Sequence, residues 1–410
     1  MPRSMNISPR HVAAASLLCL VVSGVASAAP QSRSAPLDGE GEGLEIVANI
    51  EYPGGTDMEF RTIKGRDYAF AGQAKGVGGA ETGGLRVIDI TKPTKPKQVA
   101  FLNCALYQAD IQISHDNKTL IMAQDGSPAG PDGCIMAGKA GFMTVDIRNP
   151  KKPKPLGVAE ISRGAHNVTA HPKKPYVYNS DSDLAAVGEI QIWSIKNPKQ
   201  PELVNTIRSL PHSPHDISFN KDGTRAVTAA RTHFDIFDTT DPENPTLLFT
   251  HQCPGCYITH DAKFTPDGKY VVIGDEANGG GAYPCPGGAL YFYELVNDAA
   301  VLRGVYEPGE LVFAREGQTA LGACTSHVFD ISKDSTKIAI SWYTAGTRYL
   351  DISNPQGITI GAQSTGGVRE AGWFMPDGGS SWSSKFFKGP YIYSNDINRG
   401  FDVFKITASG

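Results

Sequence analysis

Seven times along this chain an apolar, alternating segment ends in a near-repeat of Asp-Ile and usually runs on into a proline-spaced turn. The copies read LRVIDITKPTKP from Leu85, FMTVDIRNPKKP from Phe142 and IQIWSIKNPKQP from Ile190. FDIFDTTDPENP from Phe234 and RYLDISNPQG from Arg348 follow, with YFYELVNDAA from Tyr291 and FDVFKI from Phe401 as degenerate members. Asp89, Asp146, Ser194, Asp238, Glu294, Asp351 and Asp402 are the equivalent positions, 44 to 57 residues apart. Proline fixes φ and has no amide donor, so a proline-spaced turn ends a strand where no ladder partner is needed. A period of roughly 40–50 residues made only of strands is the pattern of propeller blades.

Each unit reads as four strands. An inner strand such as HDISF leads through a polar turn (NKDG from Asn220, TPDG from Thr265) into a second strand such as KYVVIGD. The Asp-Ile strand is third. The fourth alternates and follows the prolines: KQVAFL, KPLGVAEI, ELVNTI, TLLFTH, VLRGVY and ITIGAQ. Only six such strands lie inside the chain, and LEIVANIEYP from Leu44 supplies the seventh. The expected fold is therefore all-β, a seven-bladed β-propeller over residues 44–410 closed by an N-terminal strand pairing with FDVFKI. Closure leaves only short, protected sheet edges.

The VIDI-x-x-P-x-x-P units and the ending YIYSNDINRGFDVFKI resemble the LVIVD-repeat propellers of secreted or surface proteins, mostly bacterial. That resemblance implies a fold and a place at the cell surface, and little about activity. A more distant likeness, carried by ISWYTAGTRYLDISNP from Ile340, is to one blade of the selenium-binding protein and methanethiol oxidase propellers.

The N-terminus reads as a targeting segment. Arg3 and Arg10 precede an apolar run from Val12 to Ala28 that ends in Ala-Ser-Ala, the small-x-small pattern of a signal-peptidase site. The run is short for a membrane span. The expectation is a signal peptide over residues 1–28, cleaved after Ala28, and then a flexible polar leader over residues 29–43. Loss of Arg3 and Arg10 moves the net charge from −4 to −6. A mildly acidic chain lacks the basic stripe of a nucleic-acid binder. The expected product is an exported monomer with no membrane span, whose partner is a small ligand or a surface protein.

Blade periodicity also permits an alignment of the inner strands on HDISF. The first column is then Thr56, Ala109, His166, His215, His260, His327 and Trp382. Four successive blades place a histidine at one station, out of 10 histidines in the chain. Neutral imidazole is the commonest metal ligand and suits Cu, Fe or Zn. His166, His215, His260 and His327 are therefore the candidate metal ligands on the propeller axis. His212 is a further candidate from the mouth. The next column holds Asp57, Asp110, Asp216 and Asp261, and strand alternation turns these to another face. They are assigned as acids that support the histidine ligands from behind or that line the channel. The competing reading is that each histidine pegs one blade to the next by donating to its backbone. His115, His171, His233 and His251 fall in turns or outer strands and read as solvated.

Outside the signal segment the chain has Cys104, Cys134, Cys253, Cys256, Cys285 and Cys324, an even set that suggests disulfides in an exported protein. The repeat favours Cys104 with Cys134, and two bonds among the other four. CPGC from Cys253 also matches a redox spacing. Asp275 and Glu276 open a Gly/Pro-rich insertion that matches no EF-hand loop and reads as a pinned surface loop. No nucleophile elbow, His-Glu-x-x-His or phosphate loop is present. Two functions remain: an exported binding or interaction module, or a metal-dependent oxidoreductase or hydrolase using the four histidines.

Overall fold

The computed structural model describes residues 37–408 apart from 105, 126–133, 182–187, 278–286, 298, 309–323, 361, 362 and 365. The segment expected to be the signal peptide lies outside the described residues. Seven sheets, antiparallel but for one strand added at the outer edge of blade five, follow one another along the chain, each with its own inner strand. The inner strands are Gly55–Ile63, Gln108–Ile113, Asn167–Ala170, Asp216–Phe219, Thr259–Phe264, Phe329–Ile331 and Ser381–Phe386 for blades one to seven. The clasp is present: Leu44–Ile50 pairs antiparallel with Gly400–Ile406 as the outermost strand of blade seven.

The repeat that betrays the fold has a local cause. The side-chain oxygen of Asp89 accepts the amide of Thr91 at 3.0 Å, and Asp146, Asp238 and Asp351 do the same for Arg148, Thr240 and Ser353. An aspartate at a strand end thus closes the turn that the prolines continue. The third strands are sandwiched between neighbouring blades, so Gly141–Asp146 is buried along nearly its whole length. The apolar clusters accordingly span pairs of blades. Phe70, Leu85 and Val87 of blade one pack with Ile111, Met122 and Met143 of blade two. Val272 and Phe292 of blade five pack with Phe329, Ile338 and Leu350 of blade six.

Two expectations are corrected at the rim of the toroid. ITIGAQ is not the fourth strand of blade six. Gly357–Ile360 instead runs parallel to Ala299–Glu307 on the outer edge of blade five. The fourth strand of blade six is Arg369–Pro376, pairing with Thr347–Asp351. Charge and contact decide this: Arg369 reaches Asp351 at 3.2 Å and Arg348 reaches Glu370 at 3.2 Å. Gly304, where an added Cβ would lie 1.7 Å from the carbonyl oxygen of Pro355, lets the displaced strand close on blade five. Second, the polar leader is not wholly without structure, since Gly39–Glu42 pairs antiparallel with Arg369–Pro376. Gly41 permits this approach, because a Cβ there would meet the Phe374 ring at 2.4 Å.

Cysteine pairing follows the repeat. Cys104 is bonded to Cys134 and Cys253 to Cys256. Cys324 is also disulfide-bonded, while Cys285 lies outside the described residues. No helix among the described residues is long and apolar enough to cross a membrane.

Candidate metal centre

The histidine column becomes an arc of touching rings at one end of the channel. His166 and His215 have ring centroids 4.5 Å apart, His215 and His260 4.0 Å, His260 and His327 4.1 Å, and His327 and Trp382 4.6 Å. Backbone irregularity at this rung helps to place them. In blades one, two, five and seven the inner strand carries one extra residue here; in blades five and seven it is His260 and Trp382. A bulge bends its strand and re-aims the side chain. His166, His215 and His327 sit just before their strands, and their amides donate to Ser180, Ala229 and Ser341.

The ring nitrogens divide their work. His215 Nδ1 lies 3.0 Å from the carbonyl oxygen of His260, and His327 Nδ1 lies 2.6 Å from that of Trp382. His166 Nδ1 lies 2.9 Å from a carboxylate oxygen of Asp125. Each of these partners only accepts, so each Nδ1 carries the hydrogen, and in the neutral ring Nε2 keeps its lone pair. The pegging contact and the ligand geometry therefore coexist in one side chain. His166 Nε2 and His215 Nε2 face one another at 3.0 Å. Gln108 Nε2 stands 3.2 Å from the same His166 atom.

Burial keeps His215, His260 and His327 neutral. Burial first, then repulsion from neighbouring imidazoles, holds His215 and His260 well below the ordinary histidine range. Burial lowers His327 to about 3. Two nitrogen lone pairs 3.0 Å apart repel unless a proton or a metal ion stands between or beside them, and burial disfavours a proton on His215.

Glu276 supplies the anion. His215, His260 and Glu276 each offer a ligand atom within 4.8 Å of the other two, all three residues being buried. An ion bonded at about 2.0–2.2 Å holds atoms up to about 4.3 Å apart, so small side-chain adjustments suffice. His327 Nε2 lies 3.9 Å from Glu276 and His260 Nε2 3.8 Å. Tyr343 donates to Glu276 Oε1 at 2.7 Å. Burial pushes the Glu276 carboxyl up to about 7, against the lowering effect of that hydrogen bond. Gln108 (φ 72°) and Tyr343 (φ 43°) both hold left-handed backbone, a costly conformation for non-glycine residues that is concentrated at functional positions.

Of the four histidines named from the sequence, two join Glu276 within reach of one ion; His166 and His327 flank them. His212 is not in the group: its ring lies 5.7 Å from that of His233. Asp57, Asp110 and Asp216 line the channel beneath the arc. Asp261 pairs instead with Lys263 and accepts the amide of Phe329. His171 and His233 are buried rather than solvated. His171 Nε2 lies 3.0 Å from the carbonyl oxygen of Gly223 in the next blade, a true peg. Glu276 was visible in the sequence only as an acid of the blade-five insertion, and nothing there tied it to the histidine column. Trp382 stood in the column, but Tyr343 and Gln108 had no signal.

No protein-family model matches the chain, and no curated protein matches it. Among solved structures it is similar to the β-propeller domain of Myceliophteria thermophila Cps50 (Swd1), at a TM-score of 0.58 and 10% identity. That match covers 88% of this chain and 99% of the other. A putative 6-phosphogluconolactonase from Bacteroides fragilis is similar at a TM-score of 0.54 and 11% identity, covering 82% and 88%. Likenesses at this identity speak for the propeller fold alone.

Proposed function

We propose that this chain is an exported seven-bladed propeller that binds one transition-metal ion (Cu, Fe or Zn) among His215, His260 and Glu276, with His166 and His327 beside them. The observation that carries this reading is the pair of lone-pair nitrogens facing at 3.0 Å, their Nδ1 atoms already engaged, beside a buried carboxylate. Two imidazoles and a carboxylate suit Zn or Fe, and a third imidazole suits Cu as well. Export is supported by the apolar N-terminal run and by the paired cysteines. The resemblance to LVIVD-repeat propellers supports a place at the cell surface as a binding or interaction module.

A second reading is favoured by one further observation. His260 and His327 border a deep channel cavity, and three protein ligands leave positions open for a small molecule. A bound metal would there act as a Lewis acid or redox centre. Glu276 would be a ligand of that metal, with Tyr343 donating to it at 2.7 Å. That is the arrangement of a metal-dependent oxidoreductase or hydrolase.

The test is elemental analysis of protein made without an affinity tag, loaded in turn with Zn, Cu and Fe and then dialysed. About one ion per chain is expected in the native protein and well below that in His215→Ala/His260→Ala. No retained metal in the native protein, or equal retention in the variant, overturns both readings.

A further inference from the structure

Beneath the histidine arc the channel widens into a cavity of about 740 Å³. Its inner end is formed by His260, His327 and Trp382, and its outer mouth by turns carrying Lys221, Asp267 and Asp334. This volume is that of a small-molecule pocket. The charges on its wall are unequal. Asp57, Glu59, Asp110, Asp216 and Asp330 line its depth against Lys263 and Lys385, while the mouth carries Asp267 and Asp334 with Lys221 and Lys333.

Both lysines are already engaged. Lys385 Nζ lies 2.9 Å from Asp57 and 3.1 Å from Glu59. Lys263 is paired with Asp261 and stacks 4.5 Å from the centre of the Phe329 ring. Among the described residues neither Asp110 nor Asp216 forms an ion pair, although Lys385 acts on Asp110 and Lys263 on Asp216 from further off. Asp110 accepts only the amide of Val168 at 2.8 Å, and Asp216 that of its neighbour Ile217 at 2.7 Å. Burial, then the charges of Asp57 and Asp216, holds the Asp110 carboxyl well above its ordinary range, against the weaker lowering effect of Lys385.

Phe60, Phe219, Phe264 and Phe386 complete the wall. Aromatic faces beside carboxylates are the surroundings that hold an organic ammonium group, whereas a hydrated metal ion gains little from them.

We propose that this cavity binds a small organic cation, an alkylammonium whose charge sits between Asp110 and Asp216. Phe60 and its fellow rings would cover the alkyl part. The cavity needs no metal at the histidines, so this inference stands apart from the metal reading and can fail without it.

The experiment is calorimetric titration of the full-length protein with putrescine, spermidine, ethanolamine and choline, and in parallel with Mg²⁺ and Ca²⁺. Saturable binding of at least one ammonium compound is expected, weakened about tenfold or more in Asp110→Asn/Asp216→Asn. The asparagines keep the shape of the protonated carboxyls, and circular dichroism with a melting curve verifies that the variant is folded. Metal content of the same variant, expected to match native protein, separates the two sites. Absence of binding by every ammonium compound up to about 10 mM overturns the proposal. So does equal affinity in the folded variant, or binding of Mg²⁺ or Ca²⁺ alone.

Discussion

Replacing Glu276 by glutamine removes the acid grouped with His215 and His260 while keeping its shape, and its consequences can be worked out in advance. His215 and His260 are held well below their ordinary range and His327 is lowered to about 3, so between pH 5 and 8 these rings do not compete with a metal for protons. Glu276, raised to about 7, does. Its carboxyl must lose a proton before it can ligate, so apparent affinity should fall about tenfold for each pH unit below 7, reaching about 100-fold at pH 5. Glu276→Gln should bind more weakly at pH 8 and lose this slope. Without metal the sign runs the other way. The folded-state pKa stands above the ordinary value of 4.5, so the stabilising contribution is full below about 4.5 and is lost as pH rises through about 7. The difference is about 3 kcal/mol for a group this buried, at 1.36 kcal/mol per unit. Chelator-competition titrations of Zn²⁺ at pH 5, 6, 7 and 8, with melting curves of the metal-free proteins, read both effects. Parallel slopes in native and variant protein would refute the assignment of the acid to Glu276.

Three further outcomes are expected. Replacing Cys104 and Cys134 by serine should cost about 3–4 kcal/mol, the chain entropy of a loop whose ends are 30 residues apart, read as a lowered denaturation midpoint; no shift would mean that this bond holds nothing. Gly304→Val should push Gly357–Ile360 off blade five, since a Cβ there meets the Pro355 carbonyl, at a cost of about 1–3 kcal/mol. Hydrogen exchange at the amides of residues 358–360 should then quicken, and unchanged protection counts against the docked strand. Ile50→Ala, in the clasp and 2% exposed, should cost about 2–5 kcal/mol and lower the melting temperature; an unaltered melting curve would show that closure contributes little.

How much of this was legible beforehand depended on whether the signal was periodic. Strand alternation, the Asp-capped proline turns and the missing fourth strand are local or counting signals, and they led to the propeller and its clasp. The rim was less legible. ITIGAQ and the Arg369 segment both alternate, and only the pairing of Arg369 with Asp351 and Arg348 with Glu370 distinguishes them. Likewise the polarity of GEGE suggested a leader with no structure, although its glycines are what allow Gly39–Glu42 to lie flat against Phe374.

The site divides in the same way. Equivalence between blades is a property of the sequence, so His166, His215, His260 and His327 could be brought into one column before any coordinate was known. Tertiary structure decided which ring atom faces where. In His215 and His327 Nδ1 turns to a carbonyl of the next blade and in His166 to Asp125, and that leaves Nε2 of these rings for a cation. It also brought Glu276 and Tyr343 to the arc from an insertion and a left-handed turn, neither of which repeats. A repeat reports what every blade must have in order to stack on its neighbours. The residues that complete a site are those on which the blades differ, and only the closed ring brings them within bonding distance.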